Sequence, residues 1–144
     1  MSSHKFEHLP HVSDAFIAAY GRTLLEAFEN AALSVTETMT DSTTISEEFK
    51  DVISVTGHDE KALLYNWLEQ LLLNFDIDGK IYSRFRVNMI ECRNGFWNLT
   101  AEAYGEKFVP GKHPSRTEIK AVTYHQMDIR KEEGKYVLKF ILDL

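Results

Sequence analysis

Gly57-His58-Asp59-Glu60-Lys61-Ala62-Leu63-Leu64-Tyr65-Asn66-Trp67-Leu68-Glu69-Gln70-Leu71-Leu72-Leu73-Asn74-Phe75 decides the fold class of this chain. Asp59 can cap a helix by accepting a backbone N–H of its first turn. Leu63, Leu64, Trp67, Leu68, Leu71, Leu72 and Phe75 then recur as one wide apolar stripe, which predicts a core helix. The segments around it are not helical. Phe49 to Val55 reads as a strand ending at Gly57, and from Ile81 onward the helical period disappears. Asn94-Gly95 stands between two extended runs, and because both residues tolerate positive φ the pair predicts a tight antiparallel hairpin.

Working outward, Thr23 followed by Glu26 has the capping-box spacing. Leu24, Leu25, Phe28, Ala31, Ala32, Val35 and Met39 continue it as a first helix to about Thr40, with Asp41-Ser42-Thr43-Thr44 as a turn. Phe6 to Tyr20 reads as a strand broken near Pro10 and closed by Gly21. Beyond the loop Pro110-Gly111-Lys112-His113-Pro114-Ser115, Ile119–Arg130 and Tyr136–Leu142 form a second hairpin around Glu132-Glu133-Gly134-Lys135. The expected fold is α+β: two helices packed on one face of a mostly antiparallel or mixed β-sheet, as one domain over residues 1–144, with no repeat or linker. Leu25, Phe28, Ala32, Leu64, Trp67, Leu68 and Leu71 are the expected contacts between helices and sheet.

Composition narrows the function. With 44% hydrophobic and 26% charged residues the chain is an ordinary globular sequence. The longest apolar run, around Leu71-Leu72-Leu73, is far below the roughly 20 residues needed to span a bilayer, and Met1-Ser2-Ser3-His4-Lys5 does not resemble a signal peptide. A cytoplasmic protein without a membrane partner is expected. A net charge of -6 disfavours a free-standing nucleic-acid binder. Residues 106–144 nevertheless carry 8 Lys and Arg against 6 Asp and Glu, while the rest of the chain carries 8 against 16, so an RNA contact through the C-terminal part is permitted.

The strong catalytic signatures, G-x-S-x-G, C-x-x-C, the P-loop and H-E-x-x-H, do not occur. Asn74-x-Asp76-x-Asp78-Gly79 imitates the start of a calcium loop, but the twelfth position is Phe85 instead of a bidentate Glu, so a polar turn after the second helix is expected. Cys92, beside Arg93, reads as a small buried or partly buried structural residue, since no His partner marks it as a nucleophile. His11 and Asp14 are three apart and could face one cation. Asp143 ends the apolar run Val137-Leu138-x-Phe140-Ile141-Leu142, where a carboxylate must be solvated, paired or ligated. With the α-carboxylate of Leu144 it offers two hard oxygen donors of the kind calcium or magnesium prefers; a solvated chain end fits the same pattern.

At these residues the chain resembles the archease family. The resemblance rests on Phe6-Glu7-His8-Leu9-Pro10-His11-Val12-Ser13-Asp14, Tyr20-Gly21-x-Thr23-Leu24-x-Glu26-Ala27-Phe28 and Gly57-His58-Asp59 before Leu64-x-x-Trp67-Leu68. It continues through His113-Pro114-x-x-Thr117-Glu118-Ile119-Lys120-Ala121-Val122-Thr123-Tyr124-His125 to Ile141-Leu142-Asp143-Leu144. The family's first motif reads Asp-His-Thr-Ala-Asp. Here Pro10 and Val12 replace its first acid and its threonine, which removes two oxygen donors.

The resemblance implies a non-enzymatic accessory role. The expected partner is an RtcB-type ligase, a GTP- and manganese-dependent enzyme that joins RNA ends in tRNA splicing, whose guanylylation and repeated turnover the accessory protein promotes. Contact with tRNA or other RNA would run through that ligase. The resemblance also implies Asp14, Asp143 and Leu144 as ligands of a divalent metal, calcium first with magnesium or manganese as alternatives, and His11 joins them on spacing. Two other classes fit the residues: a small metal-dependent hydrolase using Asp14 and Asp143 with His11 or His58 as base, and an interaction module that binds no metal.

Overall fold

The computed structural model describes residues 4–10 and 13–144. Seven antiparallel strands and two helices follow in the order β1 (Phe6–Leu9), β2 (Ala15–Gly21), α1 (Leu24–Met39), β3 (Phe49–Gly57), α2 (Glu60–Asp78), β4 (Lys80–Arg93), β5 (Phe96–Lys107), β6 (Ala121–Glu132) and β7 (Lys135–Asp143). The helices and antiparallel strands are those the sequence predicts. The strands divide into two sheets, β1-β2-β7-β6 and β3-β5-β4.

Both helix starts use the caps read from the sequence. Thr23 Oγ1 accepts the N–H of Glu26 while the Glu26 carboxylate reaches back to the N–H of Arg22, and Asp59 Oδ1 accepts the N–H of Ala62. Each helix is entered by the same device: a strand ends in glycine, and two residues later a capping side chain starts the helix. The glycine is required by close approach. A Cβ on Gly21 would stand closer than 3.0 Å to the Ala27 nitrogen, and one on Gly57 equally close to the Leu63 nitrogen, so strand end and helix backbone touch directly.

The helices seam the two sheets together: α1 lies on β2 and β4, and α2 on β6 and β3. Phe28, Ala32, Leu64, Trp67, Leu68 and Leu71 are buried in this seam, as expected, whereas Leu25 is only half-buried at its margin. Trp67 donates its indole N–H to the Phe28 carbonyl at 3.0 Å, and its ring meets Phe85 edge-on at 6.0 Å, so one side chain links α2, α1 and β4.

Three local readings are corrected. Phe6–Tyr20 is not one broken strand but a reversal, with Leu9 paired to Phe16 and Phe6 to Ala19, because the β1 backbone pairs along the edge of β2. The Asn74–Gly79 segment is not a turn after the helix. α2 runs through Asp78, and Gly79 in the left-handed conformation closes it with its N–H on the Asn74 and Phe75 carbonyls. Asn74 there donates to the Tyr82 hydroxyl, which donates in turn to Asp51, so a calcium loop is not formed. Cys92 is exposed, because it lies beside the Asn94–Gly95 turn in a stretch, residues 92–96, that is exposed throughout.

Both predicted hairpins form, with Asn94 and Glu133 at positive φ (53° and 44°) before Gly95 and Gly134. A bulge interrupts β6: Thr123 faces Ile141 and Asp128 faces Lys139, so β6 carries extra residues, among them Gln126 at φ 55°. Tyr124 of that bulge stacks on Tyr65 of α2 at 4.4 Å between ring centres. No helix among the described residues is long and apolar enough to cross a membrane.

Candidate functional site

Antiparallel pairing of β2 with β7 brings the beginning of the chain beside its last residues. Ala15 is the register partner of Leu142 and Ile17 of Phe140. Continued by one step, the same register sets Asp14 opposite Asp143. Alternation along the strands gives both acids one face. Ala15 and Ile17 on β2, with Leu138, Phe140 and Leu142 on β7, belong to the helix-covered core, so residues in the opposite phase face the other way. Asp143 is exposed and its carbonyl accepts the Lys120 N–H at 2.7 Å, while Asp14 is half-buried. Leu144 packs its side chain against the core, which holds its main-chain oxygens near the end of β7.

Two carboxylates and a main-chain oxygen are hard donors that fit calcium or magnesium better than a soft metal. His11, the remaining nominated ligand, and Val12 lie outside the described residues. Among the described residues no three His, Cys, Asp or Glu side chains converge as a metal-binding group. Pro10 is described and exposed.

The other candidates separate from this end of the sheet. His58 is 77% exposed in its side chain and stands 3.6 Å from Asp59, whose carboxylate is committed to the α2 cap. A base presented to a buried substrate is not assembled there. Neither Asp14 nor Asp143 lines the apolar cleft of about 190 Å³ or the polar groove of about 660 Å³.

Within the net-positive C-terminal part, the basic side chains of Lys112, His113 and Arg116 are largely neutralised from within. Lys112 and His113 both bind the Glu106 carboxylate, each at 2.8 Å, and Arg116 reaches Glu37 at 3.4 Å and Asp41 at 3.9 Å. Lys120 is exposed beside Asp143. Glu106 itself escapes sequence reasoning: it is only 7% exposed although it shares the outward phase of β5 with Thr100, Glu102 and Tyr104, so strand alternation predicts a solvated carboxylate there.

Comparison with known proteins agrees with this architecture over nearly the full chain. Residues 6–144 match the archease protein family. The chain is 45% identical to the protein archease of Sulfolobus acidocaldarius, over 97% of this chain and 99% of that one. It is 40% identical to the protein archease of Pyrococcus furiosus, with the same coverage. Protein 1598 of Methanobacterium thermoautotrophicum, solved in solution, superposes with a TM-score of 0.83 at 37% identity, over 97% of this chain and 99% of that chain. An archease of Thermotoga maritima, described as a possible chaperone, shares the fold at a TM-score of 0.56 and 17% identity. On its family match and on relatives of this identity and coverage, the chain belongs to the archease family.

Proposed function

We propose that this protein is a cytoplasmic, non-catalytic accessory factor of an RtcB-type GTP-dependent RNA ligase, promoting its guanylylation and repeated turnover in tRNA splicing and RNA repair. The observation that carries this reading is the β2–β7 register, which in an archease-family chain lets Asp14 and Asp143 serve one cation. Asp14, Asp143 and a main-chain oxygen of Leu144 would hold calcium, or magnesium or manganese in its place, with His11 as a further donor. A bound cation supplies positive charge that neutralises two facing carboxylates and ties the start of β2 to the end of β7.

The chain's own residues supply the rest. Antiparallel hydrogen bonds fix the spacing of the two acids, the Lys120 N–H fixes the Asp143 backbone, and the core contact of Leu144 limits fraying. A rigid acidic corner of this kind can dock on a partner's basic surface or act beside its metal-bound nucleotide.

The test is RNA ligation with the cognate ligase limiting. The expected result is several products per ligase with this protein and about one without it. Asp14→Ala and Asp143→Ala should lose the stimulation while keeping the parent's thermal midpoint in the absence of metal. Equal turnover with and without the parent protein would overturn the reading.

A further inference from the structure

The two sheets have four edges, and three of them carry devices that deter a further strand. β1 is only four residues long, the β4 ladder to β5 is broken by two register shifts, and β6 holds the bulge around Gln126. β3 is the exception. It pairs with β5 over nine residues without a shift, contains no proline, and has no strand on its other side among the described residues. Lys50, paired with Glu102, and Asp51, bound to Lys80 and Tyr82, guard one end of it. From Val52 to Thr56 neither charge nor kink protects the edge, and Val52 is 67% exposed.

Asn66 of α2 donates its side-chain amide to the Thr56 carbonyl at 2.7 Å, so that carbonyl points away from β5 towards the helix side. Main-chain groups of every second residue in an antiparallel strand point the same way, so Val52 and Ser54 turn their N–H and C=O to the same edge. Among the described residues no side chain takes those groups up. A trough runs there between β3 and α2, in two parts of about 330 and 320 Å³ that share Ser54 and Gln70. Asp51 and Lys80 neutralise each other in the first part. Glu69, in the second, is bonded to the Tyr65 hydroxyl and to no cation among the described residues.

Main-chain donors and acceptors repeating along an edge are matched by another extended backbone, not by a compact ligand. We propose that the β3 edge from Val52 to Thr56 is a strand-addition site, taking an extended segment of a partner protein into the trough beside α2. The segment's N–H and C=O groups pair with those of Val52 and Ser54. A β-branched residue of the segment packs beside exposed Val52, and a lysine or arginine meets Glu69. The site rests neither on the ligase reading nor on the Asp14–Asp143 corner.

The test titrates ¹⁵N-labelled protein with the acetylated and amidated hexapeptide Arg-Thr-Val-Thr-Val-Thr and follows amide hydrogen exchange. In the protein alone the Val52 and Ser54 amides should exchange freely, while those of Ile53 and Val55, which face β5, are protected. The peptide should give saturable shifts at Val52, Ser54 and the Asn66 side chain, and slow exchange at Val52 and Ser54 by about tenfold or more. N-methylation of alternate peptide residues in one phase should weaken binding about tenfold per methyl, and in the other phase leave it within about twofold, since only one peptide edge faces β3. Glu in place of the peptide's Arg should weaken binding, and Glu69→Gln should remove that difference. Ser54→Pro, which deletes one edge donor, and Val52→Lys, which adds a charge without touching the ladder, should both abolish the shifts, the second with the parent's thermal midpoint. Absence of saturable shifts on β3, or an equal effect of the two methylation phases, would overturn the proposal. So would a concentration-dependent dimer of the protein alone that Val52→Lys dissolves, because a second copy would then occupy the edge.

Discussion

Glu106 accepts a hydrogen bond from His113 across 2.8 Å, and the orientation of that ring is fixed from its other side, where Nδ1 accepts the Val109 N–H at 2.8 Å. The ring proton therefore sits on Nε2, aimed at the carboxylate. Lys112 and the Ser46 N–H complete the ring of donors around Glu106. One carboxylate thus ties β5 to the loop before β3 and to the loop leading towards β6.

The lysine and the Ser46 N–H, opposed by burial and helped by His113, hold the Glu106 carboxyl down to about 2 from an ordinary 4.5. A folded-state pKa below the unfolded value adds stability that is fully present above pH 4.5 and is lost as pH falls towards about 2. Urea midpoints measured from pH 6 to pH 2 should fall for the parent and fall less for Glu106→Gln. Some loss should remain in the variant, because the Asp41, Glu47 and Glu102 carboxyls are lowered too. At neutral pH the variant should be less stable by about 1–3 kcal/mol, the usual cost of leaving charged hydrogen-bond partners unsatisfied.

Calcium should raise the thermal midpoint of the parent protein, since a ligand at a hundred times its dissociation constant stabilises by about 2.7 kcal/mol. Asp14→Ala and Asp143→Ala should lack that rise, whereas Asp76→Ala should keep it. Differential scanning calorimetry with calcium, magnesium and manganese in turn measures this directly. A parent that responds to none of the three would remove the cation from the Asp14–Asp143 corner.

Leu68 is fully buried between the helices and the sheets, so Leu68→Ala should cost about 2–5 kcal/mol. Half-buried Leu25 should cost clearly less on the same change. Denaturant titration of both variants orders them, and a loss near zero at Leu68 would contradict its place in the core.

Gly57→Ala and Gly21→Ala should each destabilise at least as much as ordinary core overpacking, roughly 1–3 kcal/mol, because the added methyl meets helix backbone instead of a side chain that can swing aside. Thermal midpoints within a degree of the parent for either variant would show that the strand-to-helix junction yields.

Much of this protein follows from local physics, and that part was legible in the sequence. The Thr23 and Asp59 caps, the apolar stripe from Leu63 to Phe75, the Asn94-Gly95 turn and the second hairpin depend on residues within a turn or two of one another. Pairing Asp14 with Asp143 was reached from a resemblance and from the odd position of one carboxylate; the register that sets them opposite is a property of the β2–β7 pair. Tertiary structure alone decided the rest. Whether strands join into one sheet or two depends on which edges meet after the helices have packed, and no local pattern records that. Phe75 reads as the end of a helix stripe until Phe108, brought back by β5, makes it the wall of a cleft. Glu106 stands in the outward phase of its strand, and it is buried because its partners come from segments that only the folded chain brings together.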